Sequence, residues 1–360
     1  MRRRTLLAAS AVALGLGALA MPAMADDPLR AGFIYIGPPG DFGWTYAHDQ
    51  ARMAVEEHFG DAVETTYVEN VPEGPDAERI MTQMAMSGTD IIFATSFGYG
   101  PAVNAVAQRF PDVAFEHATG YMQDAPNVSL YNARFYEGRA VIGHIAGRMT
   151  ETNTIGYIAS FPIPEVIMGI NAAFLAARAV NPDVNFRVVW AFSWFDPAQE
   201  AAAAEALIDQ GADIIMQHTD SSAPLQVAQD RGAMGFGQAS DMTQFAPEAH
   251  LTAIVDEWTP YYIKRIQERI DGTWEAGNSW AGIPEGEVVF APFNDRIPED
   301  VRTEAEALIE AIRTGEHHPF TGPINRQDGS AWLAEGEVAA DGDLLGMDFY
   351  VEGMTSELPN

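Results

Sequence analysis

The chain has 360 residues, no cysteine and a formal net charge of −31 at neutral pH. The lack of cysteine excludes disulfides, thiolate metal sites and cysteine nucleophiles, and a charge of this sign makes nucleic acid and anionic lipid poor partners. The length exceeds what one hydrophobic core usually serves, so two lobes are expected.

The chain opens with Arg2-Arg3-Arg4, an apolar run from Leu6 to Ala20, and Ala23-Met24-Ala25 before Asp26. This pattern reads as a cleaved secretory signal peptide over residues 1–25, because the run is short for a membrane span and ends in small residues. No cysteine follows it, so a lipid anchor on an N-terminal cysteine is excluded and a periplasmic location is expected. Losing three arginines moves the formal charge of the mature chain from −31 to −34.

The stretch Phe33 to His58 is an apolar run, a Gly/Pro-rich turn and a helical pattern, which is a strand–loop–helix unit. Its loop carries Asp41, Phe42 and Trp44. In open parallel sheets a ligand sits outside the carboxyl ends of the strands, so these residues are expected to face one. The unit then recurs. Glu64 to Glu69 is a strand, Asp76 to Ser87 a helix, and Ile91 to Ala94 a continuous apolar strand of the kind buried on both faces. The loop Thr95 to Gly100 adds Phe97 and Tyr99, a helix reaches Phe110, and strands Val113 to His117 and Val128 to Tyr131 complete the first half.

After Asn132 the alternation begins again, with a helix from Phe135 to Met149 and a strand from Ile155 to Ile158 whose loop holds Phe161 and Glu165. A helix to Val180, the strand Phe186 to Trp190, a loop with Trp194 and an Ala-rich helix to Gln210 follow. Strands Asp213 to Gln217, Gly235 to Gln238 and Leu251 to Val255 lead to Asp220, Asp241 and Asp256. Alternating strands and helices imply parallel sheets with right-handed crossovers. Beyond them, Tyr261 to Ile270 is expected as a helix, Gly282 to Phe290 as a strand and Glu304 to Arg313 as a helix. The turn signals of Pro319 to Trp332 suggest a decoration packed on one lobe.

Trp44 and Trp194 occupy corresponding loops of the two halves, where flat side chains from opposite walls can hold a planar ring between them; packing at the lobe interface is the alternative. Phe42, Phe97, Tyr99 and Phe161 are further candidates. Asp41, Asp220, Asp241 and Asp256 all follow strands and can accept hydrogen bonds from N–H groups, although Asp220 can instead cap a helix and Asp241 can serve a turn. Catalytic patterns are thin: there is no Gly-x-Ser-x-Gly elbow, no phosphate-cradling Gly-Lys-Ser/Thr loop and no His-Glu-x-x-His. His218 with Asp220 and Asp241 is the best cluster for a hydrolase. No enzyme activity, catalytic residue, metal or cofactor is expected.

Several pieces together carry a family resemblance. They are Gly40-Asp41-Phe42-Gly43-Trp44 before a helix, Phe135-Tyr136-Glu137-Gly138, Trp194-Phe195-Asp196-Pro197-Ala198, Ala206 to Asp213, and Ser240-Asp241. From Phe33 to Trp258 the chain resembles substrate-binding proteins of the basic membrane protein family, which includes purine nucleoside receptors feeding ABC importers. The resemblance implies an α/β, type I periplasmic-binding fold of two doubly wound parallel-sheet lobes with three crossings. One lobe would span 28–131 plus 259–285, the other 133–256 plus 286–345 with a C-terminal extension.

It also implies a base stacked by Trp44 and Trp194, acidic contacts at Asp41 and Asp241, and an ABC permease as partner of a free-standing monomer. Asn132 joins the implied ligand-binding set. Thr45 stands where nucleoside-binding members tend to have Asn, Pro101 where they have Asp, and Asp256 where they have Lys. Those groups serve ribose recognition, so the resemblance points to a free purine base such as adenine, with a nucleoside receptor or a ligand-presenting sensor subunit as alternatives.

Overall fold

The computed structural model describes residues 27–359, so the expected signal peptide lies outside the described residues. The strand β1 (Leu29–Tyr35) is buried without alternation from Ala31 onward, as a strand covered on both faces must be. It leads through α1 (Trp44–Phe59), β2 (Val63–Val68), α2 (Pro75–Met86), β3 (Ile91–Thr95), α3 (Gly100–Ala107) and β4 (Ala114–Ala118) to β5 (Val128–Ala133). These five strands are parallel in the order β2-β1-β3-β4-β5.

The chain crosses at Arg134 into α4 (Phe135–Met149), and a second parallel set follows: β6 (Thr154–Ala159), α5 (Pro164–Val180), β7 (Asn185–Trp190), α6 (Pro197–Asp209), β8 (Ile214–His218), α7 (Ala223–Asp230), β9 (Met234–Ala239) and β10 (His250–Asp256). Their order is β7-β6-β8-β9-β10. The helices α4 and α5 meet backbone to backbone, since a Cβ on Gly143 would lie 2.2 Å from the carbonyl oxygen of Ala173. Only glycine permits that approach.

A second crossing at Glu257 leads back to the first lobe through α8 (Thr259–Ile270), whose Tyr262 hydroxyl reaches Nδ1 of His48 on α1 at 2.6 Å. Only the end of the stretch expected as one strand over Gly282 to Phe290 is a strand, and a further strand lies just before it. β11 (Asn278–Ala281) pairs parallel with β5 in the first sheet, and β12 (Val288–Phe290) pairs antiparallel with β10 in the second. Gly282, Pro284 and Gly286 lie between them, with Gly286 at φ +84°. The reason is topological, because this is the third passage between the lobes and one strand cannot serve both sheets.

The helix expected from Glu304 begins earlier: α9 (Glu299–Arg313) follows Pro298 and carries Glu299 and Asp300 in its first turn, where acidic side chains favour the helix dipole. The tail, with β13 (Ile324–Asn325), β14 (Ala331–Leu333) and α10 (Asp341–Leu345), packs on α5 of the second lobe. There Asn171 Nδ2 donates to the Phe349 carbonyl at 2.8 Å. Among the described residues no helix is long and apolar enough to cross a membrane.

The three crossings are bound to one another. Arg134 N–H donates to Ala281 O at 2.7 Å and Glu257 N–H to Glu287 O at 2.9 Å, while Ile283 N–H donates to Glu137 Oε2 at 2.8 Å. Burial raises the Glu137 carboxyl from 4.5 to about 7, against the opposing pull of the Ile283 N–H and Arg134. The folded chain therefore holds a proton that the unfolded chain releases above its ordinary pKa. This contribution to stability is full below pH ~4.5 and lost as pH rises through about 7. Glu137→Gln keeps the acceptor for Ile283 but does not ionise. Denaturant melts are expected to match wild type at pH 4 and to show the variant more stable at pH 8 by ~1–2 kcal/mol.

Candidate ligand-binding site

The carboxyl ends of both sheets face one pocket. The first lobe contributes Trp44 at the start of α1, Ser96 and Phe97 after β3, and Thr119 after β4. The second contributes Glu165 in the first turn of α5, Trp194 after β7, His218 and Asp220 at and beyond the end of β8, and Gln238 on β9. They surround a narrow space of about 350 Å³, part of it open to solvent, at the lower end of small-ligand sites.

Trp44 is fixed at its edge, with its indole N–H donating to the Thr95 carbonyl at 2.7 Å. It stands edge-on to His48 (4.3 Å), Trp258 (5.6 Å) and Phe135 (6.0 Å). Trp194 lies against Phe161 at 5.0 Å, and Phe97 stacks on Tyr121 at 4.6 Å. Phe161 therefore supports Trp194 and borders a neighbouring cavity with Phe192 rather than the central pocket.

Besides Ser96 and Thr119 of the first lobe, four polar side chains of the second lobe line this space. Glu165 accepts from Asn132 Nδ2 at 3.1 Å and lies 3.5 Å from His218 Nε2. His218 is held neutral by burial, which lowers its pKa against the opposing effect of Glu165. Asp220, buried, receives the Trp44 backbone N–H at 3.4 Å. Gln238 takes a hydrogen bond from Arg139 through its Oε1. Of these, His218 and Asp220 figured in the sequence reading as a catalytic pair, but Asp241 does not join them.

Besides Phe161, five of the expected ligand contacts lie outside the lining of this pocket: Phe42, Tyr99, Asn132, Asp241 and Asp256. Tyr99 is wholly buried in the first lobe, its hydroxyl donating to Val71 O at 2.6 Å; the short turn Phe97–Tyr99 sends Phe97 to the pocket and Tyr99 beneath it. Asp241 is exposed and accepts from Thr243 N–H at 2.9 Å and Thr243 Oγ1 at 2.5 Å, so it is a turn residue. Asp256 is buried behind the pocket, not in its lining, and burial raises its pKa well above the usual carboxylate range. Phe42 packs on Tyr46 (4.9 Å) and across the cleft on Phe245 (4.7 Å). Asn132 acts on the pocket through Glu165. The backbone of Asp41 ends a short turn, Pro39–Asp41; its side chain lies outside the described part. Sequence reading left out Glu165, Gln238 and Thr119, although each follows or ends a strand and the strand-end rule itself would have found them.

The lobes are closed on one another. Ser240 Oγ donates to the Phe42 carbonyl, and Phe42 holds φ at 62°. A Cβ on Gly43 would lie 2.4 Å from the Asp220 carbonyl oxygen.

The whole alternating part of the chain, residues 29–316, matches the family model for PnrA-like ABC transporter substrate-binding proteins, Bmp. The chain belongs to the Bmp family. A purine-binding protein of Brucella abortus is 58% identical over 337 residues, covering 94% of this chain and 96% of that protein. A Haloferax volcanii protein named as an ABC transporter glucose-binding protein is 39% identical over 334 residues, covering 93% and 82%. An ABC transporter solute-binding protein from Aeropyrum pernix superposes with a TM-score of 0.71 at 17% identity, covering 83% of this chain and 93% of that one. This likeness shows the type I periplasmic-binding fold. As a Bmp member the protein is the substrate-binding component of an ABC transporter, a solute binder and not an enzyme.

In this Bmp protein closure rests on a backbone approach at residue 43. Gly43→Ala is expected to leave the melting temperature of the ligand-free protein within a few degrees of wild type. Ligand affinity should fall at least tenfold, and small-angle scattering should show the lobes apart at saturating wild-type ligand concentration.

Proposed function

We propose that the protein captures a free purine base, adenine or a close analogue, between its lobes and hands it to the permease of an ABC importer. The observation that carries this reading is the pair Trp44 and Trp194, brought from opposite lobes to one narrow pocket. Aromatic faces suit a flat heterocycle, and each good aromatic contact adds roughly 0.5–1.5 kcal/mol beyond buried area. Glu165 and Asp220 are acceptors, which suit a ligand rich in N–H groups. A free base offers both an exocyclic amine and an imidazole N–H, whereas a nucleoside has lost the second to its sugar. A buried acceptor left without a donor costs about 1–3 kcal/mol.

The high identity to a protein named for purine binding supports the same ligand class. Asp256, with Thr45 and Pro101, stands where nucleoside-binding relatives are expected to keep ribose contacts, which favours the base. The carrier acts as a periplasmic monomer, and the closed form is what the permease grips.

The test is mass spectrometry of small molecules released on denaturing the purified protein, followed by calorimetric titration with adenine, adenosine and glucose. Adenine is expected to bind at least tenfold more tightly than adenosine, and glucose not at all. Trp194→Ala should weaken adenine binding tenfold or more with the fold intact by circular dichroism. Glucose binding without purine binding would overturn the reading.

A further inference from the structure

Arg139 lies on α4 with 1% of its surface exposed. A guanidinium so far from water needs hydrogen-bond partners, and two of its three nitrogens have them while Nε has none among the described residues. Its Nη1–H donates to the Gln217 carbonyl at 2.8 Å and its Nη2–H to Gln238 Oε1. Asp256 is within electrostatic reach, and the Tyr157 ring lies 5.7 Å away.

Guanidinium has donors and no acceptor, so the Gln238 atom turned toward it is necessarily the oxygen. The amide nitrogen then points the other way, and it has no hydrogen-bond partner among the described residues while Gln238 lines the pocket. Gln217, which Arg139 also touches, is not in this position: its own Nε2 is taken by the carbonyls of Thr219 (3.1 Å) and Ser221 (2.8 Å). Across the pocket an amide is set by the same logic. Asn132 Oδ1 accepts the Ala133 N–H at 2.8 Å, which turns its Nδ2 toward Glu165.

We propose that Gln238 is a specificity-determining residue that donates an amide N–H to an unprotonated ring nitrogen of the bound base, and that Arg139 is the positioning residue that forbids the flipped amide. This rests on the purine reading. The pocket then offers a donor from β9 together with the carboxylate acceptors Glu165 and Asp220, so a ligand must present both a ring acceptor and N–H donors. A base lacking the nitrogen that faces Gln238 leaves that donor unpaired.

The experiment is calorimetric titration of wild type, Gln238→Glu and Arg139→Lys with adenine and its 1-deaza, 3-deaza and 7-deaza analogues, each of which replaces one ring nitrogen by C–H. Gln238→Glu keeps the shape and an oxygen for Arg139 but turns the pocket side from donor to acceptor. In wild type one analogue is expected to bind at least tenfold more weakly than adenine. In Gln238→Glu adenine should weaken tenfold or more, and the discrimination against that analogue should shrink to under threefold.

Arg139→Lys, which cannot fork to both oxygens, should relax the same discrimination while retaining a cooperative melt. A purely structural role for Arg139 would lower the melting temperature and leave the analogue ratios unchanged. Adenine affinity within threefold of wild type in Gln238→Glu, or an unchanged analogue ratio, overturns the proposal while leaving the purine reading intact. A wild-type protein that binds no purine overturns both.

Discussion

The geometry of the whole molecule depends on the three chain crossings being bonded to each other rather than merely lying side by side. Arg134 to Ala281 and Glu257 to Glu287 are backbone hydrogen bonds between different crossings, so the chain cannot slide one passage against another. Each sheet adds a strand that arrives through these crossings, β11 on the first and β12 on the second. The lobes are thereby fixed with their strand ends opposed, and the remaining freedom is rotation about the bundle of crossings. Hinge motion of this kind leaves each lobe rigid, so Trp44 keeps Thr95 and Gln238 keeps Arg139 whether the cleft is open or shut, while the Trp44–Asp220 and Asn132–Glu165 bonds span the two lobes.

Those local partners explain how polar groups can line a narrow pocket only partly open to solvent. Trp44 is tied to Thr95, Glu165 to Asn132, and Gln238 to Arg139, each by a bond that leaves one face or edge of the side chain for the ligand. Pre-set orientation of this sort removes the entropy of ordering the site at the moment of binding. Glu116 on β4 of the first sheet follows the same rule on a structural task. It is wholly buried, yet Arg265, Tyr261 and Trp274 all donate to it, at 2.8, 2.7 and 2.7 Å.

Much of this was legible in the sequence because parallel strands announce themselves as unbroken apolar runs, as at Ile91 to Ala94, and because loops with exposed-looking tryptophans are rare. Trp44 and Trp194 stood out for that reason and do line the pocket. What failed was depth. Tyr99 and Asp256 follow strands as the others do, but one turn of backbone separates a side chain that faces the cleft from one that lies beneath it, and a string of residues carries no such coordinate. Asp241 failed for a local reason, since Thr243 two residues on satisfies it. Glu165 and Gln238 were overlooked because ordinary polar residues attract less notice than aromatics, although their positions were equally telling. That one strand precedes Gly282 and another occupies only the end of Gly282 to Phe290 could not be read locally, because their partner strands are more than 30 residues away for one and about 150 for the other.

The contact at Gly43 involves main-chain atoms of Asp220, and the Ser240 bond ends on the main-chain oxygen of Phe42. Part of the clasp is therefore indifferent to side-chain identity, while the Trp44–Asp220 and Asn132–Glu165 bonds tie the rest of it to the pocket lining. Cargo and clasp are partly separable inheritances: substitutions at Trp194 or Gln238 leave all of these bonds in place, so the scaffold can change what it carries at those two positions without rebuilding how it shuts.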